Sequence, residues 1–425
     1  MFPLILSFIT FVLFLFSKTA STSIPTTPLL FFSQIASLIG AVLLSFTFIL
    51  SSRFNFLEKY FGSLDKVYKQ HHLYGAMAFL FLISHPLLLT LQTFSSSLPT
   101  AIYLFPSPNL VYTTGVLALY SLIIFLTFTL LIKLPYHLWY LTHQLMGIVL
   151  IFALIHINFI TSDVSRFPFL KIWIIIWILL ALISYLYKKF FYIRFGPKFN
   201  YQVDQVQNIN GLLDLYLKAV ASPLKYHPGQ FIFISFSQKN ISSEFHPFSL
   251  VSTPDSPLLH LAVKVIGDYT GSLIGLQKNT PATIMGPNGR LYEAFETNQD
   301  IVLIAGGIGI TPFISLIESE IINPKNRQIS LFYSTQNIDA AFYHQKFLEL
   351  AAKNKKFEYH PTFTDSKPRL TASTISSLTC LPAGRFLKSN FLLCGPQIMM
   401  ESLKNQLLDL NVASQNIYYE DFSLT

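Results

Sequence analysis

The chain has 425 residues, of which 52% are hydrophobic and only 12% are charged, and its mean hydropathy is +0.49. Because a soluble globular protein carries about 25% charged residues, this composition excludes a chain that lies wholly in water. The net charge of +8 fits lysine and arginine beside membrane spans; no nucleic-acid-binding signature accompanies it, so no nucleic acid is expected as a partner. The cysteines, Cys380 and Cys394, are too few for a disulfide framework or an iron–sulfur cluster, which fits a reducing compartment.

Six apolar segments in the first part of the chain are long enough to cross about 30 Å of hydrocarbon. They lie near residues 3–17, 31–51, 73–91, 110–132, 143–161 and 169–190. Stretches rich in proline and serine separate them, as expected where helices end. The first segment is short enough for a signal peptide, but it lacks a basic region in front of its apolar run, which favours an uncleaved anchor.

Lysine and arginine predict the orientation of these spans in the lipid bilayer. With the C-terminal half in the cytoplasm, the inner loops hold Arg53, Lys59, Lys66, Lys69, Lys133, Lys188, Lys189, Arg194 and Lys198. The outer side then holds only Lys18, Arg166 and Lys171. Because basic residues concentrate on the cytoplasmic side, a multi-pass protein of the plasma (inner) membrane is predicted, with its C-terminal domains in the cytoplasm.

Two of the predicted spans carry a separated pair of histidines, and an ionisable side chain inside a span indicates a functional site. His71 and His85 are 14 residues apart, about 40° short of four full helical turns, so both project from nearly the same face at two depths. His143 and His156 are 13 residues apart, about 140° out of phase in an ideal helix. The second pair therefore requires a local distortion of its helix.

The third and fifth spans both enter from the predicted cytoplasmic side, so their histidines pair at two depths. Paired axial imidazoles suit low-spin haem used for electron transfer, whereas structural zinc takes four ligands. His72 and His137 lie at the membrane edges, where an interfacial or propionate-contacting role is favoured over ligation. Gly75 lacks a side chain that would keep a porphyrin away from the helix.

The second half of the chain has two successive patterns. Residues 196–290 contain short alternating strands separated by turns, which predict a small antiparallel barrel. From residue 300 onward, apolar strands alternate with helices, which predicts a parallel, doubly wound sheet. The fold class expected is a multi-domain membrane protein: an all-α six-helix transmembrane bundle, an antiparallel β-barrel domain and an α/β doubly wound domain.

A glycine-rich loop, GGIGITPF at residues 306–313, follows the apolar strand IVLIA. Its glycines allow the backbone to approach a pyrophosphate, with Thr311 predicted as the N-cap and Pro312 as the first residue of a helix. A second strand-to-loop transition, LLCGP, follows at residues 392–396. Upstream, HPFSLVS and VKVIGDYTGSL each resemble an ordinary loop when taken singly, although the second can present backbone N–H groups to an anion.

In this order, HPFS, GDYTGSL, GPNGR, GGIGITPF and CGP resemble the flavin reductase half of the NADPH oxidase and ferric reductase superfamily. The paired histidine spans and LSSRFNFLEKYFGSLDKVYKQHHLYG resemble its ferric-reductase-like transmembrane domain. The resemblance extends from about residue 31 to the end and is to compact bacterial members without regulatory domains. It implies a transmembrane haem domain at residues 1–192, an FAD-binding β-barrel domain at 196–295 and an NAD(P)-binding α/β domain at 299–425.

The resemblance also implies a role for individual residues. Those expected to hold FAD are His246, Pro247, Phe248, Ser249, Thr270, Gly271 and Ser272; the histidine stands where soluble ferredoxin reductases have arginine. Those expected to hold the nicotinamide dinucleotide are Gly306, Gly307, Gly309, Thr311, Pro312 and Gly395. Cys394 is expected beside the nicotinamide, and Phe422 is expected to stack on the flavin. The expected ligands of two b-type haems are His71, His85, His143 and His156.

The implied activity is that of an NAD(P)H oxidase or ferric reductase, which passes electrons from NAD(P)H through FAD and two haems to an external acceptor. Oxygen, giving superoxide, and ferric or cupric ion both remain open as that small-molecule acceptor. The outer loops hold one carboxylate, Asp163, which tilts the expectation toward a small diffusible acceptor, whereas Arg166 would serve a ferric chelate. Two alternatives remain: an electron-supplying subunit for a separate redox partner, and a non-enzymatic transmembrane haem-binding protein. No obligatory protein partner is indicated.

The nucleotide preference is predicted from the second strand of the doubly wound domain. NADPH-preferring relatives tend to carry arginine after this strand, where it pairs with the 2′-phosphate. Here the run is FYSTQN at residues 332–337, without arginine. Weak discrimination or a preference for NADH is therefore expected.

Overall fold

The computed structural model describes residues 2–20, 27–94, 100–192, 196–209 and 211–420. The chain forms two compact units, one of Met1–Gly62 with Lys66–Arg194 and one of Ser63–Asp65 with Phe195–Thr425. Each unit has its own hydrophobic core and is described by itself.

The N-terminal part of the described chain is all helical. Its helices are α1 (Phe2–Ala20), α2 (Pro28–Leu50), α3 (Asn55–Phe61), α4 (Leu64–Phe94), α5 (Leu110–Leu130), α6 (Tyr136–Gln144), α7 (Met146–Phe159), α8 (Asp163–Arg166) and α9 (Pro168–Leu186). A π-helical segment, Tyr187–Tyr192, continues α9.

Among the described residues, six helical segments are long and apolar enough to cross a membrane, which confirms the predicted multi-pass bundle. They are Phe2–Thr19, Pro28–Leu50, Leu64–Phe94, Leu110–Leu130, Leu138–Phe159 and Pro168–Tyr192. The third begins earlier than the apolar run at 73–91 predicted, because the helical hydrogen bonds continue through the polar residues that precede it. The fifth is made of two helices, α6 and α7, that meet at Leu145.

Local signals in the sequence explain where several of these helices begin. The Thr27 hydroxyl accepts a hydrogen bond from the Leu30 N–H and caps α2, and the Asn109 side chain caps α5 in the same way. Such caps satisfy N–H groups that have no partner within the helix. Pro168 stands in the first turn of α9, where its missing N–H costs nothing.

The bundle has its core around α2, which packs against α1 and α9. Val42 and Phe46 of α2 are buried with Ile174 and Ile178 of α9. Large apolar side chains remain exposed on the outer faces, among them Leu80 on α4. An apolar exterior is what lipid requires of a spanning helix.

The first part of the second unit is an antiparallel sheet. Its strands are β1 (Lys198–Ile209), β2 (Leu212–Ala219), β3 (Phe231–Phe236), β4 (His246–Ser249), β5 (Leu259–Lys264) and β6 (Pro281–Asn288). They follow the order β4-β3-β6-β1-β2-β5. Within the described residues, β4 and β5 meet at a bridge between Leu250 and Leu261 and not along a ladder. The antiparallel prediction is confirmed, without a closed barrel.

The rest of the unit is an α/β domain with a five-stranded parallel sheet. Its strands are β7 (Ile301–Gly306), β8 (Ile329–Thr335), β9 (Phe357–Phe363), β10 (Asn390–Cys394) and β11 (Ile417–Tyr419). The longer helices are α12 (Thr311–Ile322), α13 (His344–Lys353), α14 (Ala372–Leu378) and α16 (Gln397–Asp409). Shorter ones are α10 (Asp268–Ser272), α11 (Tyr292–Glu296) and α15 (Ala383–Phe386). The predicted parallel, doubly wound sheet is confirmed.

The strand order β11-β10-β7-β8-β9 defines where this sheet can bind a ligand. From β7 the chain adds β8 and β9 on one side, and then returns to add β10 and β11 on the other. The direction of winding therefore reverses between β7 and β10. In open α/β sheets, ligands bind beyond the carboxyl ends of the strands at such a reversal.

Direct contacts join the antiparallel sheet to the parallel one. The Gly229 N–H donates to Ser315 Oγ on α12 at 2.8 Å. Gly229 has a φ of +80°, and a Cβ there would lie 2.9 Å from Leu316 Cδ1, so the contact requires glycine. Leu212 and Val251 share a buried cluster with residues of α12.

Candidate functional site

The first predicted haem-ligand pair, His71 on α4 and His143 on α6, lies together in the bundle. Their ring centroids are 6.1 Å apart. His71 Nδ1 lies 2.9 Å from the Thr47 carbonyl oxygen, and His143 Nδ1 lies 3.4 Å from Thr129 Oγ1. A carbonyl only accepts, so Nδ1 of His71 carries the hydrogen and Nε2 keeps its lone pair. The Thr129 hydroxyl donates to the Phe125 carbonyl of its own helix, so its oxygen accepts the hydrogen of His143 Nδ1. Nε2 of His143 therefore also keeps its lone pair.

The second pair, His85 on α4 and His156 on α7, lines one cavity of about 290 Å³. His85 Nδ1 is 3.0 Å from the Ser33 carbonyl oxygen and 2.8 Å from Ser33 Oγ. His156 Nδ1 is 2.8 Å from the Val111 carbonyl oxygen. Here too Nδ1 is the donor, and the lone pair belongs to Nε2.

These four hydrogen bonds place the two pairs at two levels of the bundle. The partners of the α4 histidines, Ser33 and Thr47, stand near opposite ends of α2. The partners of the other two, Val111 and Thr129, stand near opposite ends of α5. Metal-binding histidines commonly donate their second ring N–H to such an acceptor, which fixes the tautomer and the ring orientation.

The distortion required by the 13-residue spacing is present between His143 and His156. The Leu145 N–H donates to the Thr142 carbonyl at 3.2 Å, and the Ile148 N–H donates to the Leu145 carbonyl at 2.9 Å. Each bond spans three residues, the tighter turn of a 3₁₀ helix. The predicted fifth span is therefore not one regular helix, and its two histidines are freed from the phase of an ideal helix.

Gly115 on α5 was not recognised from the sequence, although it is in contact with His156. A Cβ at Gly115 would lie 2.8 Å from His156 Nδ1, so the imidazole reaches the Val111 carbonyl only because residue 115 has no side chain. No sequence signal marks it, because a single glycine within an apolar helix is common in membranes. At Gly75 a Cβ would have only Thr47 Cγ2 within 4 Å, at 3.9 Å.

His72 and His137, which were not expected to be ligands, differ from the four above. The His72 side chain is exposed, with its ring 5.8 Å from that of His71. The backbone of His137 lies in the first turn of α6.

In the second unit, the fold brings together the two motifs expected to hold FAD. The motif of His246, Pro247, Phe248 and Ser249 forms β4, at one end of the strand order. The His246 ring stacks on the Tyr269 ring, with centroids 3.5 Å apart. Burial lowers the pKa of His246 below its usual value, against the effect of the Glu244 carboxylate, which lies 3.5 Å away. The histidine is thus favoured as a neutral ring.

The turn that carries Thr270, Gly271 and Ser272 is held by its own side chains. Thr270 Oγ1 accepts hydrogen bonds from the N–H groups of Ile266 and Gly267. Ser272 Oγ donates to the Tyr269 carbonyl at 2.7 Å. These hydroxyls shape the turn, and a Cβ at Gly271 would meet nothing within 4 Å. Their contact with a pyrophosphate remains a prediction.

The two glycine loops meet where the winding of the parallel sheet reverses. A Cβ at Gly309 would lie 2.3 Å from the Cys394 carbonyl oxygen, and a Cβ at Gly395 would lie 2.9 Å from Gly306 Cα. Gly307 has a φ of +55° and open space around it. Glycine is therefore required at this junction for close packing between the loops. Cys394, at the end of β10, is fully buried.

The start of α12 differs from the prediction. Thr311 is the first helical residue and not the N-cap, and Pro312 follows it; Ile310 precedes the helix. The Thr311 hydroxyl donates to the Ile308 carbonyl at 3.0 Å, because the preceding Gly307–Ile310 segment is itself a 3₁₀ turn. A capping residue in the sequence does not predict the 3₁₀ turn that precedes the helix.

Phe422 lies outside the described residues, but Glu420, which was not selected from the sequence, is described. Glu420 follows β11 directly and is 3% exposed. Its Oε1 accepts a hydrogen bond from the Arg290 backbone N–H. A C-terminal acidic residue beside the aromatic residues of YYEDF was the available signal.

A membrane-spanning helical bundle followed by an antiparallel flavin-type sheet and a parallel nucleotide-type domain defines a membrane-bound flavin and nicotinamide oxidoreductase. Three family models match the chain in that order: a ferric reductase like transmembrane component at residues 36–155, an FAD-binding domain at 198–300 and an oxidoreductase NAD-binding domain at 303–405. This order of domains is the NADPH oxidase and ferric reductase-like architecture.

Curated relatives resemble a smaller part of the chain. One component of the Na(+)-translocating NADH-quinone reductase of Pseudomonas aeruginosa is 28% identical over 165 residues, which are 37% of this chain and 40% of that component. The same component from Idiomarina loihiensis is 28% identical over 181 residues, which are 40% of this chain and 43% of the relative. The chain thus spans about two fifths of the length of these relatives.

Among solved structures, the flavohemoglobin of Malassezia yamatoensis, with bound FAD and heme, has a TM-score of 0.53 and 18% identity. The alignment covers 93% of this chain and 96% of that one. At this identity the likeness concerns the fold alone.

Proposed function

We propose that this chain is an NAD(P)H-dependent transmembrane oxidoreductase that moves electrons from the cytoplasmic side, through FAD and two b-type haems, to a small acceptor on the outer side. The observation that carries the proposal is the set of four histidines on α4, α6 and α7. All four hold Nδ1 in a hydrogen bond within the bundle. This leaves Nε2 of each imidazole as a donor to iron.

The residues present fit the cofactors of the family. His71 with His143 would hold the inner haem, and His85 with His156 the outer haem. A nicotinamide supplies hydride, a flavin takes two electrons and releases them singly, and a haem iron takes one at a time. In the second unit, His246 and the Thr270 turn would hold FAD, and the loops with Gly309 and Gly395 would hold the dinucleotide.

The chain contributes orientation and exclusion of water. Backbone carbonyls fix the imidazole planes of three histidines, and the Thr129 hydroxyl does so for the fourth. Gly309 packs closely on Cys394, so the two glycine loops are in tight contact where the nicotinamide is expected. Fixed groups of this kind need no rearrangement during transfer.

The outer polar groups favour a small diffusible acceptor over a bound metal ion. Asp163, the carboxylate of the outer loops, is 3% exposed. Its Oδ2 pairs with Lys18 Nζ at 2.5 Å, and the same ammonium donates to Gln34 Oε1 at 2.6 Å. A carboxylate engaged in this way is a poor ligand for a metal chelate that arrives from the outer solution. Oxygen, giving superoxide, is the acceptor that we propose.

Difference spectroscopy of the purified holoprotein tests the relay. Low-spin b-type absorbance bands that develop when NADH is added support the proposal, and the lack of any haem band refutes it. The acceptor is tested with ferricytochrome c and a ferric chelate offered together, with and without superoxide dismutase. Suppression of cytochrome c reduction by the dismutase indicates oxygen, whereas dismutase-insensitive reduction of the chelate indicates a metalloreductase.

A second candidate is an electron-supplying subunit of a larger complex. It is favoured by the relatives named above, which are themselves components of a NADH-quinone reductase. Purified protein that reduces its haems with NADH but passes no electrons to oxygen or ferric chelate would support this second function.

A further inference from the structure

We infer that Tyr185 on α9 is a positioning residue that sets the rotation between His143 and His156. The inference rests on the proposed function, in which these two histidines bind the inner and the outer haem. It concerns a side chain on α9, a different helix from those that carry the two histidines.

The need for such a residue comes from the directions in which the two histidines point. His143 faces His71, and His156 shares a cavity with His85. Both His71 and His85 lie on α4. A continuous α-helix would hold residues 143 and 156 about 140° apart. The turn at Leu145 therefore has to persist for both imidazoles to face α4.

Tyr185 satisfies the backbone where α6 ends. Its hydroxyl donates to the carbonyl oxygen of Gln144, the last residue of α6, at 2.8 Å. Carbonyls in the last turn of a helix have no partner within the helix. Inside a membrane no water replaces that partner. The tyrosine hydroxyl supplies it instead, which allows α6 to end at Gln144.

The ring of Tyr185 also occupies the space beside the first turn of α7. A Cβ at Gly147 would lie 2.4 Å from Tyr185 Cζ, so the ring packs directly on the glycine backbone. Phe48 meets the ring edge-on, with centroids 6.0 Å apart. Lys189 Nζ donates to the tyrosine hydroxyl at 3.2 Å, which leaves the hydroxyl hydrogen for Gln144.

Without the hydroxyl, the helix gains by re-forming regular bonds across Leu145. That rearrangement would rotate α7 relative to α6 and turn either His143 or His156 away from its partner on α4. A residue that only stabilised the bundle would change the melting temperature without changing the ligand field of the iron. A positioning residue changes the field itself.

The test compares full-length holoprotein carrying Tyr185→Phe or Gly147→Ala with Tyr120→Phe. Tyr120, on α5, is a matched control, because its hydroxyl also donates to a backbone carbonyl, that of Leu104, at 2.5 Å. Haem per FAD and the low-spin ferric signal in electron paramagnetic resonance are measured. We expect haem affinity to fall about tenfold or more in both test variants, the size seen when groups that orient metal ligands are changed.

The expected spectroscopic result is a shift of the low-spin signal, or a new high-spin signal, in Tyr185→Phe but not in Tyr120→Phe. Wild-type signals in both Tyr185→Phe and Gly147→Ala overturn the inference, as does an equal loss in Tyr120→Phe. A wild-type protein without low-spin haem refutes the proposed function itself and the inference with it. The wild-type spectrum therefore distinguishes a failure of the proposed function from a failure of the inference about Tyr185.

Discussion

The carboxylate of Glu420 accepts a hydrogen bond from the backbone N–H of Arg290 at 2.5 Å. The two residues are 130 positions apart in the chain, since Arg290 follows β6 and Glu420 follows β11. Gly289 has a φ of +97°, and a Cβ there would lie 3.0 Å from both carboxylate oxygens. Only glycine fits this contact. The bond fixes the chain at Glu420, two positions before Phe422 in the sequence.

We expect Glu420→Ala to destabilise the flavin and nucleotide half by about 1–3 kcal/mol, because a partly buried N–H loses a charged acceptor. Flavin reduction by NADH should slow in the same variant. Glu293→Ala is the control, since the pair of Glu293 with Arg290 is partly exposed and is worth less than about 1 kcal/mol. Thermal release of FAD and stopped-flow reduction measure the two effects. Equal results in both variants would contradict a role for the buried bond.

His85→Leu should abolish electron transfer to the external acceptor while reduction of FAD by NADH persists. The reason is that leucine has no lone pair to replace the imidazole Nε2. His72→Leu provides the matched control, because the His72 side chain is exposed. Stopped-flow absorbance separates the flavin step from the haem step. Unchanged external reduction in His85→Leu would rule out its assignment as a ligand.

Gly115→Ala should weaken haem binding at the His85–His156 level by about tenfold or more. The added methyl would lie 2.8 Å from His156 Nδ1 and push the imidazole from the Val111 carbonyl. Thr127→Ala on the same helix is the control, because its hydroxyl donates to the Ile123 carbonyl of its own helix. Haem per FAD is the measurement, and full occupancy in Gly115→Ala would argue against the contact.

Gln336→Arg should raise the efficiency with NADPH relative to NADH by about tenfold, the effect of one charge-assisted hydrogen bond to the 2′-phosphate. Gln336 is exposed directly after β8. In the native chain, the Asp365 N–H donates to the Gln336 carbonyl at 3.0 Å, which places an acidic residue at this edge and supports an NADH preference. The Thr335 hydroxyl is engaged with the Asn337 carbonyl.

The check is kcat/KM with both nucleotides for wild type, Gln336→Arg and Gln336→Met. The methionine variant keeps the side-chain length without a charge, so it should not gain NADPH efficiency. A wild-type preference for NADPH above about a hundredfold, more than one such hydrogen bond explains, would overturn the prediction of weak discrimination.

Asp214→Asn should destabilise the junction between the two sheets by about 1–2 kcal/mol at pH 7. Asp214 accepts hydrogen bonds from His260 Nε2 at 2.7 Å and from the Tyr343 hydroxyl at 2.6 Å. Burial opposes its ionisation, but these two bonds outweigh burial and hold the pKa of Asp214 below its usual value of 3.8. A carboxylate with a lowered pKa stabilises the fold above its unfolded pKa, and the contribution disappears as the pH falls through the folded pKa.

The difference between wild type and Asp214→Asn should therefore persist from pH 7 to about pH 5 and shrink below about pH 4. Thermal unfolding followed by flavin fluorescence at several pH values measures it. Asp204→Asn is the control, since Asp204 faces Lys278 at 3.4 Å near the surface. A constant difference down to pH 3 would show that the charge of Asp214 is not the cause.

Much of the fold was predictable because the signals are local. Hydropathy marks the six spans, alternation of apolar residues marks β1 to β6, and the change to strands followed by helices marks the parallel sheet. Helix starts at Thr27 and Asn109 follow from side chains beside the N–H groups that they cap. The extra turn before Thr311 was missed because capping residues do not determine how the loop in front of a helix folds.

The candidate site was predictable only in its residue types. A histidine within an apolar run is conspicuous, because its cost in lipid requires a reason. The partner of its Nδ1 is not conspicuous, because Thr47 and Ser33 are remote from His71 and His85 in the sequence. Gly115 and Glu420 were missed for the same reason, since each matters through one contact with a distant residue.

By itself the sequence determined which segments span the membrane, which form each sheet, and that His143 and His156 require a distorted helix. The tertiary structure decided where that distortion falls, at Leu145, and how it is satisfied by Tyr185. The 13-residue spacing of the two histidines requires a change in helical rotation between them, and any of several turns would provide that change. The turn that forms is chosen by packing from another helix, because only a partner outside the helix satisfies the backbone where its own hydrogen bonds end.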